Sequence, residues 1–168
     1  ISMEEAGKTI EHISQMGIDE GLDFKYATTL FTNTMDAHRL TKLAQSKNDP
    51  VLADKVIENL FKAYFSDNKE LADKELLQRI GETCGLNAEE VREVLASDKY
   101  KDEVLLDERE ASRYGVHAVP FFVVGKYGIS GAQSVDGMKA TIMKAIEETS
   151  GVLSEHGMSC GPEGCRVR

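Results

Sequence analysis

Two short β-type segments lie far apart in this chain, and the residues between them have a helical period. The first segment is 22–26, where Leu22, Phe24 and Tyr26 alternate with polar residues. The second is 116–124, which is rich in β-branched and aromatic residues. An ordinary crossover between strands needs one helix, whereas residues 27–118 show about five helical patterns. The sequence therefore predicts a small α/β domain that contains an all-helical insertion.

The helices of this insertion begin at recognisable capping residues. Asp49 precedes Pro50, an arrangement that is typical of the first turn of a helix. Asp73 and Asn87 also stand where a cap is expected, directly before apolar residues at spacings of three and four. Gly85 predicts a helix end. We expect four segments: 1–32 as the first part of the α/β domain, 33–100 as the helical insertion, 101–150 as the second part of that domain, and a tail at 151–168.

Composition excludes some classes of partner. The 168 residues carry a net charge of −9, which argues against a nucleic-acid surface because such surfaces are basic. There is no apolar run of about 18 residues, so no membrane-spanning segment is predicted.

The cysteines at positions 160 and 165 flank a Gly-Pro-Glu-Gly turn. Such a turn could bring Cys160 and Cys165 within disulfide range, and the two arginines that follow would favour thiolates. His156 could instead join both cysteines as zinc ligands, or the tail thiols could be inert. Cys84 lies in step with Ile80 on a predicted helix, so we expect it to be a buried core thiol.

Val119 and Pro120 stand at the start of the second β-type segment. Proline lacks an N–H and is confined to the first residue or edge of a strand. If the bond between them were cis, the backbone of Val119 would be exposed and could pair with an extended peptide. On base rates alone, a trans proline that merely begins the strand is the commoner case.

Three separated motifs of this chain resemble those of a known protein family. Residues 115–124 and 126–133, from Gly115 to Gln133, resemble the C-terminal half of the DsbA-like thioredoxin superfamily, and most closely its FrnE-like branch. The run Asn-Thr-Met-Asp-Ala-His-Arg-Leu at 33–40 is similar to the start of that branch's helical insertion, and 60–65 to a later part of it. The resemblance covers about residues 3–150, in the order expected for the family.

This resemblance implies an α/β, thioredoxin-like fold of the DsbA type and a thiol–disulfide oxidoreductase or isomerase. The family's redox centre is a Cys-x-x-Cys at the N-terminus of the first helix, and no such motif occurs in this chain. We therefore expect the first strand and the reactive cysteines upstream of Ile1, and this fragment alone to be inactive. Without that strand, an open slot would lie between 22–26 and 121–124, and we expect it to be filled by another segment, filled by a partner chain, or collapsed.

The resemblance also implies roles for individual residues. Val119 would hold the substrate backbone, Pro120 would shape the loop that faces the reactive sulfur, and His117 would border the groove. His38, within the insertion motif, would tune a thiolate or contact substrate. Cys160 and Cys165 are the candidates for an auxiliary redox pair, with the zinc site as the alternative.

Two other function classes stay open. One is a glutathione-dependent isomerase or transferase of the kappa or 2-hydroxychromene-2-carboxylate isomerase type, with glutathione as cofactor and Ser in place of Cys-x-x-Cys. The other is a non-catalytic module that binds peptides or a metal. The oxidoreductase interpretation needs no cofactor, and it predicts protein or peptide thiols and disulfides as partners. It predicts no binding to nucleic acid or to a membrane. A homodimer is a further option, and the expected location is cytoplasmic.

Overall fold

The structure, a computed structural model, describes residues 2–155, 158–161 and 164–167. For residue 3, residues 150–155 and the last two segments it gives the backbone alone. The chain is mostly helical, with two short antiparallel hairpins. The elements, in chain order, are α1 (Met3–Asp19), a 3₁₀ helix (Tyr26–Thr28), α2 (Met35–Gln45), α3 (Pro50–Phe61), a π-helical turn (Lys62–Ser66), α4 (Lys74–Cys84), α5 (Ala88–Ala96), α6 (Lys101–Arg113), β1 (Phe121–Val124), β2 (Tyr127–Ser130), α7 (Val135–Glu155), β3 (Met158–Gly161) and β4 (Gly164–Val167).

The chain divides into two compact units, Ile1–Asp107 and Glu108–Arg168. The first unit contains α1 to α5 and most of α6. The second contains both hairpins and α7. Each unit is described separately below.

Side-chain caps begin three of the four central helices. Asp49 accepts hydrogen bonds from the backbone N–H groups of Val51 and Leu52 at the start of α3. Asp73 and Asn87 do the same for α4 and α5. At the other end of α4, Gly85 adopts a left-handed φ of 107°, which ends the helix as expected. These predictions from the sequence are confirmed.

The hydrophobic core belongs to the first unit. It is built from the inward faces of α2 to α5, because apolar residues recur there every three or four positions. Leu40, Leu43, Val56, Leu77 and Val91 are almost completely buried at its centre. The π-helical turn continues α3 directly, so the helix changes geometry after Phe61.

The predicted strand at 22–26 is wrong. These residues form an irregular segment that leads into the 3₁₀ helix, and no strand of the described chain pairs with them. Phe24 instead stacks on Phe65, with ring centroids 5.1 Å apart, and the backbone N–H of Lys25 donates to the carbonyl oxygen of Phe65. The ring of Phe24 packs closely against Gly17, because a Cβ at Gly17 would lie only 2.7 Å from it.

In the second unit, β1 and β2 form a hairpin around Gly125 and Lys126. Phe121 pairs with Ser130, and Val124 pairs with Tyr127. Gly125 has a φ of 59°, as the first position of a type II′ turn requires. Helix α7 continues to Glu155, and the tail forms a second hairpin, β3–β4. No helix in the described part of the chain combines the length and the apolarity that crossing a membrane requires.

Candidate functional site

The loop between α6 and β1 carries three of the four residues predicted to bind substrate. Helix α6 ends at Arg113, and Gly115 then turns the chain with a φ of 74°. The N–H of Gly115 donates to Ser112, and the N–H of Val116 donates back to Ala111. These bonds close the helix end, so the next residues leave it in a fixed direction.

Val119 and Pro120 occupy the end of this loop, directly before β1. The peptide bond between them is cis. The carbonyl oxygen of Pro120 accepts from the N–H of Gly131 at 2.8 Å, which extends the β1–β2 ladder by one pair. The loop is therefore anchored to the hairpin on its C-terminal side.

Val119 itself is open to solvent. Its side chain is 86% exposed, although it is apolar. Among the residues that the structure describes, none forms a hydrogen bond with the Val119 N–H or C=O. His117, two residues earlier, is also exposed. The loop thus offers a donor and an acceptor of the main chain beside an apolar side chain, which is what an extended peptide needs for backbone pairing.

The hairpin beside this loop has an open edge and exposed apolar residues. Within the described strands, β1 pairs with β2 alone, so its other edge is unpaired. Phe122 and Val123, next to the loop, are 40% and 51% exposed. An unpaired edge with apolar side chains is a surface to which another strand can be added.

Charged residues join the far end of the hairpin to α7. The hydroxyl of Tyr127 donates to Glu148 Oε1 at 2.6 Å, and the ammonium of Lys126 lies 2.9 Å from Glu148 Oε2. The hydrogen bond from Tyr127, followed by that from Lys126, lowers the pKa of Glu148. The same contact with Glu148 raises the pKa of Lys126. The group holds the turn against the helix, away from the loop.

His38 belongs to the other unit. It lies exposed in the first turn of α2, which begins after Thr34. The structure therefore places His117, Val119 and Pro120 together in one loop and His38 in a separate unit. Its neighbours have structural roles: Arg39 is buried and bound to Asp36 at 2.6 Å, and it also donates to backbone carbonyls. Sequence reasoning did not anticipate this role for Arg39.

The three cysteines fall into two groups. Cys84 is buried in the core, as predicted, and burial raises the pKa of its thiol. In the tail, the backbone register of the second hairpin sets Cys160 directly opposite Cys165. His156, the third residue of the zinc alternative, lies outside the described residues. Among the side chains that are described, no three His, Cys, Asp or Glu residues are grouped so that they could hold a metal ion.

Comparison with known proteins gives a family and similar solved structures. Residues 3–143 match the family model described as the DSBA-like thioredoxin domain. The fold is similar to the crystal structure of a probable DsbA oxidoreductase from Streptomyces coelicolor, with a TM-score of 0.80 and 33% sequence identity. The match covers 100% of this chain and 72% of that one. No curated protein matches the sequence significantly.

Proposed function

The chain belongs to the DsbA-like thioredoxin domain family, and on that premise we propose that it is part of a thiol–disulfide oxidoreductase that acts on protein thiols. The family match covers most of the chain. The observation that carries the proposal is the exposed backbone of Val119, which has no partner among the described residues and directly precedes β1. We assign the chain to the FrnE-like branch on the motifs at 33–40 and 115–133.

The proposed reaction moves electrons between sulfur atoms and needs no cofactor. A protein thiolate attacks one sulfur of a client disulfide, the client's S–S bond breaks, and its second sulfur leaves as a thiolate. A second protein thiolate then attacks the mixed disulfide, which releases the reduced client and leaves the protein oxidised. The same steps in reverse oxidise a client dithiol. Because Cys-x-x-Cys does not occur in the printed sequence, the proposal places this reacting pair outside these residues.

The loop contributes binding in this scheme. The N–H and C=O of Val119 pair with the client's main chain, as in the addition of a strand to a sheet edge. Pro120, joined to Gly131, fixes the position of that backbone at the hairpin. His117 borders the bound peptide in the same loop. Backbone pairing is independent of client sequence, which suits an enzyme with many protein substrates.

The tail cysteines are proposed as an auxiliary pair that exchanges with the main centre. The register of β3 and β4 supports this role, because directly opposed residues of an antiparallel pair have Cα atoms about 4.5–5.5 Å apart. A disulfide spans about 4.4–6.8 Å between Cα atoms. Oxidation of the reduced protein should lower the mass by about 2 Da per disulfide formed. Cys160→Ala should remove the loss of about 2 Da that belongs to the tail pair, whereas Cys84→Ala should leave the total loss unchanged.

Two substitutions at one position test the main proposal. In the protein at its native length, Val119→Pro removes the N–H that would bind the client, whereas Val119→Ala keeps it and trims only the side chain. We expect Val119→Pro to lower kcat/KM for a peptide disulfide about tenfold, the worth of one lost hydrogen bond. Val119→Ala should retain most of the activity.

A small disulfide provides the control for this pair. Hydroxyethyl disulfide has no peptide backbone, so its reduction should change little in either variant. If Val119→Pro reduces peptide and hydroxyethyl disulfides as well as the parent does, backbone pairing at this loop is refuted. If the parent at native length exchanges neither disulfide, the oxidoreductase assignment itself is refuted.

A further inference from the structure

A half-open cavity of about 350 Å³ lies in the first unit, which we call the helical unit, between α2, α3 and the π-helical turn. Its buried floor consists of Ala37, Leu60 and Leu71. Functional cavities for small molecules begin at about 300 Å³, and a closed cavity of about 150 Å³ already admits benzene. We infer that this cavity is a binding site for a single neutral ring that carries one hydrogen-bonding group, such as a phenol.

The wall of the cavity favours a ring. Phe61, Tyr64 and Phe65 contribute aromatic side chains from the end of α3 and the π-helical turn. Tyr64 meets Phe65 edge to face at 4.9 Å, and Phe65 is held from behind by its stack on Phe24. The wall is therefore fixed before a ligand arrives, and an aromatic guest gains edge-to-face contacts with it. Departures from α-helical geometry of this kind are frequent at functional sites.

One side of the cavity is polar. Thr34, His38 and Thr41 from α2 and its cap line it. The Thr41 hydroxyl donates to the carbonyl of Ala37 at 3.1 Å, so its oxygen remains an acceptor. Within the described residues, neither the Thr34 hydroxyl nor the His38 imidazole has a hydrogen-bond partner. These groups can bind one hydroxyl that both donates and accepts.

The residues that line the cavity disfavour charged ligands. No Asp, Glu, Lys or Arg side chain is among the described residues that line it. A carboxylate or ammonium group would therefore lose its hydration without gaining a counter-ion. A neutral phenol keeps its hydrogen bonds and buries its ring, so we expect it to be preferred over a charged ring of the same size.

Titration of the full chain with p-cresol, followed by ¹⁵N NMR, tests this inference. We expect saturable shifts of the amides of residues 34–41 and 61–65, and at least tenfold weaker binding of 4-methylbenzoate. Toluene, which lacks the hydroxyl, should bind several-fold more weakly. Shifts that are scattered over the surface, do not saturate, or are equal for the charged ring would overturn the inference.

Two variants locate the site. Thr41→Phe fills the cavity and should abolish binding, whereas Thr9→Phe is the matched control. Thr9 also donates to the carbonyl four residues earlier, but it lies exposed on α1. His38→Ala changes an exposed residue and leaves the core intact, and it should weaken p-cresol but not toluene. Unchanged affinity for p-cresol in both Thr41→Phe and His38→Ala would refute the site.

A further arm identifies the source of the ring. N-acetyl-tyrosinamide presents the same phenol within a capped residue. If it binds at least as tightly as p-cresol, the ring belongs to a polypeptide. If it binds tenfold more weakly at the same amides, the ring is a free small molecule. Both results keep the cavity as the site, and neither depends on thiol chemistry, so failure here leaves the oxidoreductase proposal untouched.

Discussion

Arg39 donates a hydrogen bond from its Nε to the carbonyl oxygen of Lys99 at 2.8 Å, although the two residues are 60 positions apart. The same guanidinium donates to the carbonyls of Val94 and Ser97, just where α5 ends. Only 3% of Arg39 is exposed. The terminal carbonyls of a helix lack partners within the helix, and here a buried cation from α2 satisfies them.

Replacing Arg39 by leucine should therefore be costly. Arg39→Leu leaves buried carbonyls and the Asp36 carboxylate without their donor, and we expect the free energy of unfolding to fall by about 3 kcal/mol. Urea denaturation followed by far-UV circular dichroism measures this. Arg92→Leu is the control, because Arg92 is exposed and, among the described residues, pairs only with Glu89, so it should cost about 0.5 kcal/mol or less. Equal losses in the two variants would contradict the role of Arg39.

Two glycine-to-alanine changes should have opposite signs. A Cβ at Gly81 would come within 2.9 Å of Val91, a stiff and fully buried side chain, and within 3.3 Å of Leu40. We expect Gly81→Ala to lower the free energy of unfolding by about 1 kcal/mol or more, since overpacking outweighs the gain in helix propensity. At Gly7 in α1 a Cβ would meet nothing within 4 Å, so Gly7→Ala should stabilise by about 0.5–1 kcal/mol.

Thermal unfolding of the two glycine variants gives the comparison directly. A melting temperature that rises in Gly7→Ala and falls in Gly81→Ala supports the packing described for α4. A rise in both would show that the core beside Gly81 can move aside.

Cys84 should make stability depend on alkaline pH. Burial raises the pKa of its thiol in the folded chain. Above the unfolded pKa of about 8.5, the unfolded chain loses a proton that the folded chain keeps, so the free energy of unfolding falls as the pH rises. In a Cys160→Ala, Cys165→Ala background, the stability difference between the parent and Cys84→Ala should shrink from pH 7 to pH 10. A constant difference would show that Cys84 titrates alike in both states.

The contact between the hairpin and α7 should depend on acidic pH. The hydrogen bond from Tyr127 is the largest cause of the lowered pKa of Glu148, and Lys126 comes next. The stabilisation is present above the unfolded pKa of Glu148 and is lost as the pH falls through the lowered, folded pKa. In a ¹³C NMR titration of the side-chain carboxyl, Tyr127→Phe and Lys126→Gln should each raise the pKa of Glu148. An unchanged pKa in both variants would contradict the contact.

The sequence predicted local features such as helix caps better than it predicted long-range contacts. The caps at Asp49, Asp73 and Asn87 act on residues two or three positions away, so their residue types were enough to predict helix starts. The alternation of Leu22, Phe24 and Tyr26 has the period of a strand, but a strand also needs a neighbour.

For the 22–26 segment, the partner is the aromatic ring of Phe65 rather than a strand of the described chain. The candidate site shows the same contrast. The loop at Val119 and Pro120 was predicted from adjacent residues. The role of Arg39 could not be predicted, because a lone arginine on a helix usually points into water and its backbone acceptors are at least 55 residues away.

The buried core residues described above all belong to the helical unit, between Ala37 and Val104. Substitutions in a hydrophobic interior are usually the most destabilising, so changes in the first unit should lower the stability of this chain most. Substitutions in the exposed loop around Val119 should lower it little. In the proposed scheme, substitutions in this loop would change what the loop binds rather than whether the polypeptide folds, so client preference could change while the helical core is kept.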